Sequence, residues 1–488
     1  MRIQLAHKKA KQFLVGILSQ VSALFLRISR AIISYVDFRK FPPRKRTHFF
    51  INLSIGVVIV FLFHFLENTR WGENTLDKCF DLFVSWESKK AVQVQNDVQK
   101  SPILFVDIDH ETYKEWGEPL ITPRDKLAKI LQILHEGEAK VIVLDILLEG
   151  SDFIPDNDRK LLEVLEKIKL DPKNTTKIIL PQRIGFEGKL KGNLFDILFN
   201  KDHSAGDSRS EALYRATPSL SATSSDNVVR YWNLYEEFQD QEGKREIIWG
   251  YPIITVLLAV EGSLQGLDSF QRKLSGKERS NSKDFEVLHL SNGKTIKLPY
   301  DKAHLYLQRL RFLLIPEKSS KGYLADKNGG NEGNVFQTVI KYDELEFYKG
   351  FFKDRIIIVG NSSPDTGDMY RTPIGEMAGM YILANSIDTI LTKEQPSPPP
   401  RWLGILIEIV VIILAAYIFL YFTSLLAQII ASLLILTVFG YFSYLYFLKT
   451  GVFLNFVFAI VGMSFHEMTK DLEEIVEKRG LIKYDQKK

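Results

Sequence analysis

The sequence predicts an α/β domain, a mostly parallel sheet with flanking helices, joined to four transmembrane helices. Three observations point there. Four apolar runs bracket one long polar stretch. Inside that stretch, short runs rich in Ile, Val and Leu alternate with segments of helical period. Lys and Arg gather on one side of the first apolar run.

The elements follow in chain order. In residues 12–35, Leu14, Ile17, Leu18, Val21, Leu24, Phe25, Ile28 and Ile32 share one helical face, opposite Gln12, Ser19, Gln20, Arg27, Arg30 and Ser34. Residues 1–47 are expected to be a cytoplasmic basic amphipathic segment lying against membrane lipid, or else packed on a partner helix. Residues 48–66 are long enough to cross an apolar layer of about 30 Å as a helix. Residues 401–466 hold three further candidates at 402–422, 424–447 and 451–465, the last short and preceded by the Lys449-Thr450-Gly451 break. Arg39, Lys40, Arg44, Lys45 and Arg46 precede the first span, so the N-terminus is expected in the cytoplasm and residues 67–400 outside it. Four crossings return the tail, 467–488, to the cytoplasm, in keeping with Lys470, Lys478 and Arg479. No small-x-small cleavage site follows the first span, which reads as an uncleaved anchor. The expected location is a bacterial inner (cytoplasmic) membrane, multi-pass, with the main domain periplasmic or extracellular.

A net charge of +4, with the basic residues at membrane flanks, argues against a nucleic-acid partner. The single cysteine, Cys79, excludes an internal disulfide framework, so the exported part must rest on an ordinary core.

Within the exported part, residues 80–100 read as a polar connector. Ile103–Asp109, Ala139–Leu148 and Lys177–Gln182 read as strands, alternating with helices over Pro123–Glu136 and Asp156–Lys169. Residues 184–225 read as long loops, and 263–284 and 317–334 as surface insertions. Val228–Leu234 and Ile247–Tyr251 suit strands, while Ile253–Val260 suits a helix or a strand. A buried strand at Arg355–Gly360, a loop, a helix from about Met380 to Leu391 and the stiff Gln395–Pro400 linker complete it.

Four stretches in this order resemble the CHASE2 domain, the extracytoplasmic sensory module of bacterial receptors. They are Phe105–Asp109 continuing to Pro123-Arg124; Ala139–Leu147; Asp226–Arg230 followed by Tyr251-Pro252; and Phe352–Gly360 through Asp368, Thr372-Pro373 and Ala384-Asn385. Asn227 departs from the family, whose turn usually carries an Asp-Gly pair nearby, which leaves a different turn or an insertion there. The resemblance implies a sensory role, three closing membrane helices and a possible homodimer. Such receptors usually continue into a cyclase or kinase. The tail here is shorter than the ~50 residues a small domain needs, so action through a separate cytoplasmic or membrane effector protein is expected.

Ligands in a parallel α/β sheet sit beyond the carboxyl ends of the strands. The candidates there are Asp107, Asp109, Arg124, Asp145, Asn361, Ser362 and Asp368, a set suited to a cation or a polar ligand. The same residue types also cap helices and turns or pair as structure. In the membrane runs, His64 and Glu408 are the costly polar groups; His64 should face a helix partner or snorkel, and Glu408 should face the bundle. The nine histidines show no metal-ligand spacing, so neither metal nor cofactor is expected. Asp107-Ile108-Asp109 has the spacing of a phosphohydrolase nucleophile pair, but Glu111 stands where such enzymes carry Thr or Val. The favoured function is a sensory or assembly subunit that is not an enzyme. A structural component of an envelope complex is the alternative, and an exported metal-dependent phosphohydrolase the remote one.

Overall fold

The computed structural model describes residues 69–454, apart from segments 94–101, 200–211, 223–225, 276–284, 300–308, 314–338 and a few isolated positions, together with Ser54, Val57 and Val58. The amphipathic segment at 1–47, His64 and the tail lie outside the described residues, as does most of the first and last apolar runs. The chain divides into two units. One comprises 1–72, 400–441 and 455–488; the other comprises 73–399 and 442–454.

The larger unit opens with α1 (Arg70–Gln93), where the sequence reads as a polar connector. Phe80, Phe83, Val84 and Glu87 fall at i, i+3, i+4 and i+7 and are buried, so one face packs while the rest stays polar. Next come β1 (Ile103–Ile108), α2 (His110–Glu115), α3 (Arg124–Glu136), β2 (Val141–Leu144), α4 (Pro155–Leu170) and β3 (Lys177–Pro181). Apart from α2, which the sequence reading left unassigned, these agree with that reading to within a few residues. The expected loop at 184–225 differs: it contributes β4 (Leu213–Ala216), an edge strand of the main sheet, and β5 (Leu220–Ala222). Four- and three-residue strands amid Ser and Gly carry too short a pattern to read.

Then follow β6 (Val229–Trp232), β7 (Tyr235–Gln239), β8 (Arg245–Trp249), α5 (Tyr251–Val260), α6 (Leu267–Ser275), β9 (Phe285–His289), β10 (Thr295–Pro299), β11 (Val339–Ile340) and β12 (Ile356–Asn361). The ambiguous 253–260 segment is helical and buried nearly all round, which is why its apolar residues show no face. Asn227 has φ 56°, a left-handed turn position that Asn tolerates, so it serves the turn without a glycine. The chain continues through a hairpin of β13 (Met369–Thr372) and β14 (Gly375–Ala378) to α7 (Gly379–Thr392).

The main sheet runs β11-β1-β12-β2-β3-β4, and every pairing in it is parallel. Its strands are buried on both faces, as parallel strands must be. Leu104, Val106, Ile142, Leu144, Ile357 and Val359 face a core shared with α3 and α4. The alternate residues face α5 and α7, with Phe105 edge-on to Tyr381 at 5.1 Å.

A seam of buried charge lies under α1. The Arg309 guanidinium donates to Asp77 at 2.5 Å and to Asp81 at 3.2 Å, and lies 3.9 Å over the Phe80 ring. Arg230 forks to Asp81 and Asp226, each at 2.7 Å. Arg311 pairs with Glu87, its Nε donating at 3.0 Å. Phe80 and Phe83 also pack on Phe447 and Phe453, so residues 442–454 close the apolar side of α1.

The smaller unit contains α8 (Arg401–Tyr421) and α9 (Ser424–Leu434). A π-helical stretch, Ile435–Phe439, leads from α9 into α10 (Gly440–Thr450). Gly451, at φ 70°, ends α10 by donating to the Phe447 carbonyl, which accounts for the break seen in sequence. Among the described residues, one helical stretch, Ser432–Thr450, is long and apolar enough to cross a membrane; Trp402–Ala415 is a shorter apolar one.

Candidate functional site at the carboxyl end of the sheet

The parallel register places Asp107 opposite Gly360, and the Asp145 amide donates to the Val359 carbonyl at 2.8 Å. Two aspartates therefore flank one glycine across the three central strands. By strand alternation they share the face covered by α5 and α7. A Cβ at Gly360 would stand 2.9 Å from the Met380 Cβ, so only glycine lets the first turn of α7 settle between them.

Asp107 is buried with both oxygens engaged. Oδ1 accepts from the Ser362 amide at 2.9 Å, and Oδ2 from the Tyr381 hydroxyl at 2.9 Å. Burial pushes its carboxyl up to about 6 despite these donors. Asp145 is pushed up to about 8, chiefly by burial and then by the nearby charge of Asp368. The Asp368 carboxyl is itself raised by burial, against hydrogen bonds from Tyr370 and the Gly379 amide. A Cβ at Gly379 would come within 2.4 Å of Asp368 Oδ2, so this second glycine makes room for the carboxylate at the start of α7. Tyr251 roofs Asp145, its hydroxyl donating to the Leu144 carbonyl at 2.7 Å.

Asp107, Asp145, Ser362 and Asp368 thus lie on one side of the carboxyl end. The other predicted residues have more local partners. Asp109 accepts from the Thr112 amide at 2.8 Å and caps α2. Asn361 accepts from the Ser363 amide at 2.7 Å in the turn after β12. Arg124 does not join Asp107, Asp109 and Asp368 as the sequence suggests. It is fully buried at the start of α3, where Nη1 donates to the Leu147 carbonyl and Nε stands 3.8 Å from Asp158. Its own amide donates to Asp152, so its role is to tie the loop after β2 to α3. Glu408 lies partly buried on α8.

The sequence reading does not pick out Tyr251, Tyr370 and Tyr381, nor the two glycines, as site residues, although Tyr251 and Gly360 fall in the family-like stretches. Tyr381 follows a glycine at the start of an apolar helix, and that was the available signal. The tyrosine hydroxyls are all raised, chiefly by burial and then by the adjacent aspartates, so they stay protonated as donors. Chemically, the cluster can hold a proton on Asp145 at neutral pH and offers carboxyl and phenol groups to a polar or cationic ligand. Among the described residues no group of three or more metal-type ligands comes together.

The CHASE2 domain family matches residues 54–420, from within the first apolar run to the end of α8. The chain belongs to the CHASE2 family of extracytoplasmic sensory modules. No curated protein and no solved structure matches it.

Proposed function

We propose that the exported domain binds a ligand or protein at the carboxyl end of the sheet and passes the change to a separate membrane or cytoplasmic effector. One observation carries this reading: α7 touches both ends of the route. Its first turn holds Asp368 and bonds Asp107 through Tyr381. Four and eight residues further on, Asn385 accepts from the Leu313 amide and Thr389 from the Arg311 amide, and Arg311 is the partner of Glu87 on α1. In the chain, α1 follows the first apolar run and α7 precedes α8. A ligand with unequal affinity for two positions of α7 would shift both membrane connections.

The protein is proposed to span a bacterial inner membrane four times, with both termini cytoplasmic and a homodimer as the working assembly. Residues 400–441 leave the larger unit and 442 re-enters it, which supports α8 and the α9–α10 helix as an out-and-back pair. Binding, not catalysis, is the proposed activity: the Asp107 oxygens are already occupied by Ser362 and Tyr381, which disfavours a nucleophile there.

The test is hydrogen exchange on the full-length protein in detergent, comparing wild type with Asp368→Asn. Altered protection should reach residues 77–89 as well as 379–392. Changes confined to the strand ends would defeat the relay. An effector that co-purifies, but whose activity ignores the exported domain, would favour the scaffold alternative.

A further inference from the structure

The rim outside the aspartate cluster carries an unusual set of side chains. Leu120 is 88 % exposed, Phe153 71 %, Ile154 58 % and Leu147 42 %, and Phe186 is fully exposed. They come from the three loops that follow β1, β2 and β3, so all stand at the carboxyl end of the sheet. Single exposed apolar residues are ordinary; five on adjoining loops are not.

These loops are held firmly. Asp152, beside Phe153, accepts from the Arg124 amide at 2.9 Å, and Arg124 donates to the Leu147 carbonyl at 3.3 Å; this joins the first two loops. Lys191 donates to Glu149 at 2.9 Å, which joins the second loop to the third. The Gly185 amide donates to the Lys189 carbonyl at 2.7 Å and closes the turn that presents Phe186. An ordered apolar surface costs less entropy to dock than a loose one.

Charge narrows the choice of partner. Exposed Glu115 and Glu118 stand just before Leu120, Asp152 precedes Phe153, and exposed Glu187 follows Phe186. The neighbouring cations are mostly paired at the surface with acids of their own, Arg159 and Lys160 with Asp156, Arg183 and Lys191 with Glu149, leaving exposed Lys114 on α2 and Lys189 on the Phe186 turn against Glu115, Glu118 and Glu187. Position matters too. Helix α7 also starts at this end of the sheet, beside Asp107 and Asp368, and runs away from it.

We infer that this rim is a docking surface for a cationic amphipathic polypeptide segment, its apolar face seated on Leu120, Phe153, Ile154 and Phe186 and its basic residues on the flanking carboxylates. This deepens the sensing role proposed above by naming a partner class, and it rests on that role only for its consequence, not for binding itself.

The probe is a fluorescent peptide of Lys and Leu at helical spacing, titrated against the full-length protein in a neutral detergent. Controls are the matching Glu and Leu peptide and vesicles of zwitterionic lipid. Wild type should bind the Lys peptide saturably, at least tenfold more tightly than it binds the Glu peptide, and more weakly as salt rises. The double variant F153S/F186S should lose at least tenfold, and E118K/E187K should lose a similar factor. All four side chains are exposed, so unchanged melting of both variants confirms an intact fold. Equal binding by wild type and F153S/F186S would overturn the inference, as would equal binding of the two peptides, or vesicle binding that F153S/F186S abolishes. If Asp368→Asn still alters exchange in α1 while the peptide does not bind, this inference falls and the relay stands.

Discussion

The larger unit buries ionisable groups in two places and treats them in opposite ways. Under α1, each of Arg230, Arg309 and Arg311 meets a carboxylate, with Tyr231 adding a hydroxyl bond to Asp77 at 2.8 Å. At the carboxyl end of the sheet, Asp145 lies beside Asp368, Asp107 stands on the other side of Gly360, each has a tyrosine near it, and all three carboxyls are pushed upward. Paired charges fix one arrangement, because removing either partner strands the other in a poor solvent. Unpaired carboxyls leave the protein responsive to whatever neutralises them. The seam thus suits holding, the strand ends suit the sensing role proposed above, and α7 lies between them.

The comparison can be broken most forcefully at the seam. Arg309→Met takes the cation from buried Asp77, leaving it the Tyr231 hydroxyl while Asp81 keeps Arg230, and should cost about 3–5 kcal/mol of stability, read from urea unfolding of the whole protein. A loss below about 1 kcal/mol would show that the seam is not a lock. A smaller effect is expected at the start of α7. Gly379→Ala drives a methyl group into Asp368 and should cost about 1–3 kcal/mol, with the midpoint of thermal unfolding lowered. The gentlest test sharpens the sensing side. In the unfolded chain Asp145 ionises near 3.8, whereas in the fold it keeps its proton to about 8. Its contribution to stability is therefore complete below the unfolded value and is lost as pH climbs toward the folded one. Asp145→Asn should flatten that slope and leave the variant about 1–2 kcal/mol more stable than wild type near the upper end of the window. An unchanged slope would mean that Asp145 is ionised in the fold.

Much of this architecture is legible in the chain. The β1-α3-β2-α4-β3 run has clear periods, with prolines at the helix starts and Gly137 after α3, and β12 announces itself as four apolar residues before Gly360-Asn361. Gly360 also illustrates the limit. Its place between Asp107 and Asp145 depends on β12 inserting between β1 and β2, a pairing of residues more than 200 positions apart that no local pattern records. Arg124 is the converse case. Its position at the start of α3 is readable, but its partners follow from the path of the loop after β2 and not from proximity to Asp107 in sequence. The seam was hidden for another reason. Asp77, Asp81 and Glu87 resemble the polar face of any exposed helix until Arg230, Arg309 and Arg311 arrive from far downstream.

The return of residues 442–454 to the larger unit bears on how this protein could be dissected or recombined. The family match ends at residue 420, yet the rings of Tyr444, Phe447 and Phe453 cover Phe80 and Phe83 from beyond that limit. Excision at the Pro-rich linker would bare that aromatic surface. A chimaera that grafts the sensor onto foreign membrane helices would inherit the same wound. The inherited module and the folding module are thus different lengths of chain, and exchange between family members should carry the continuous α9–α10 helix along.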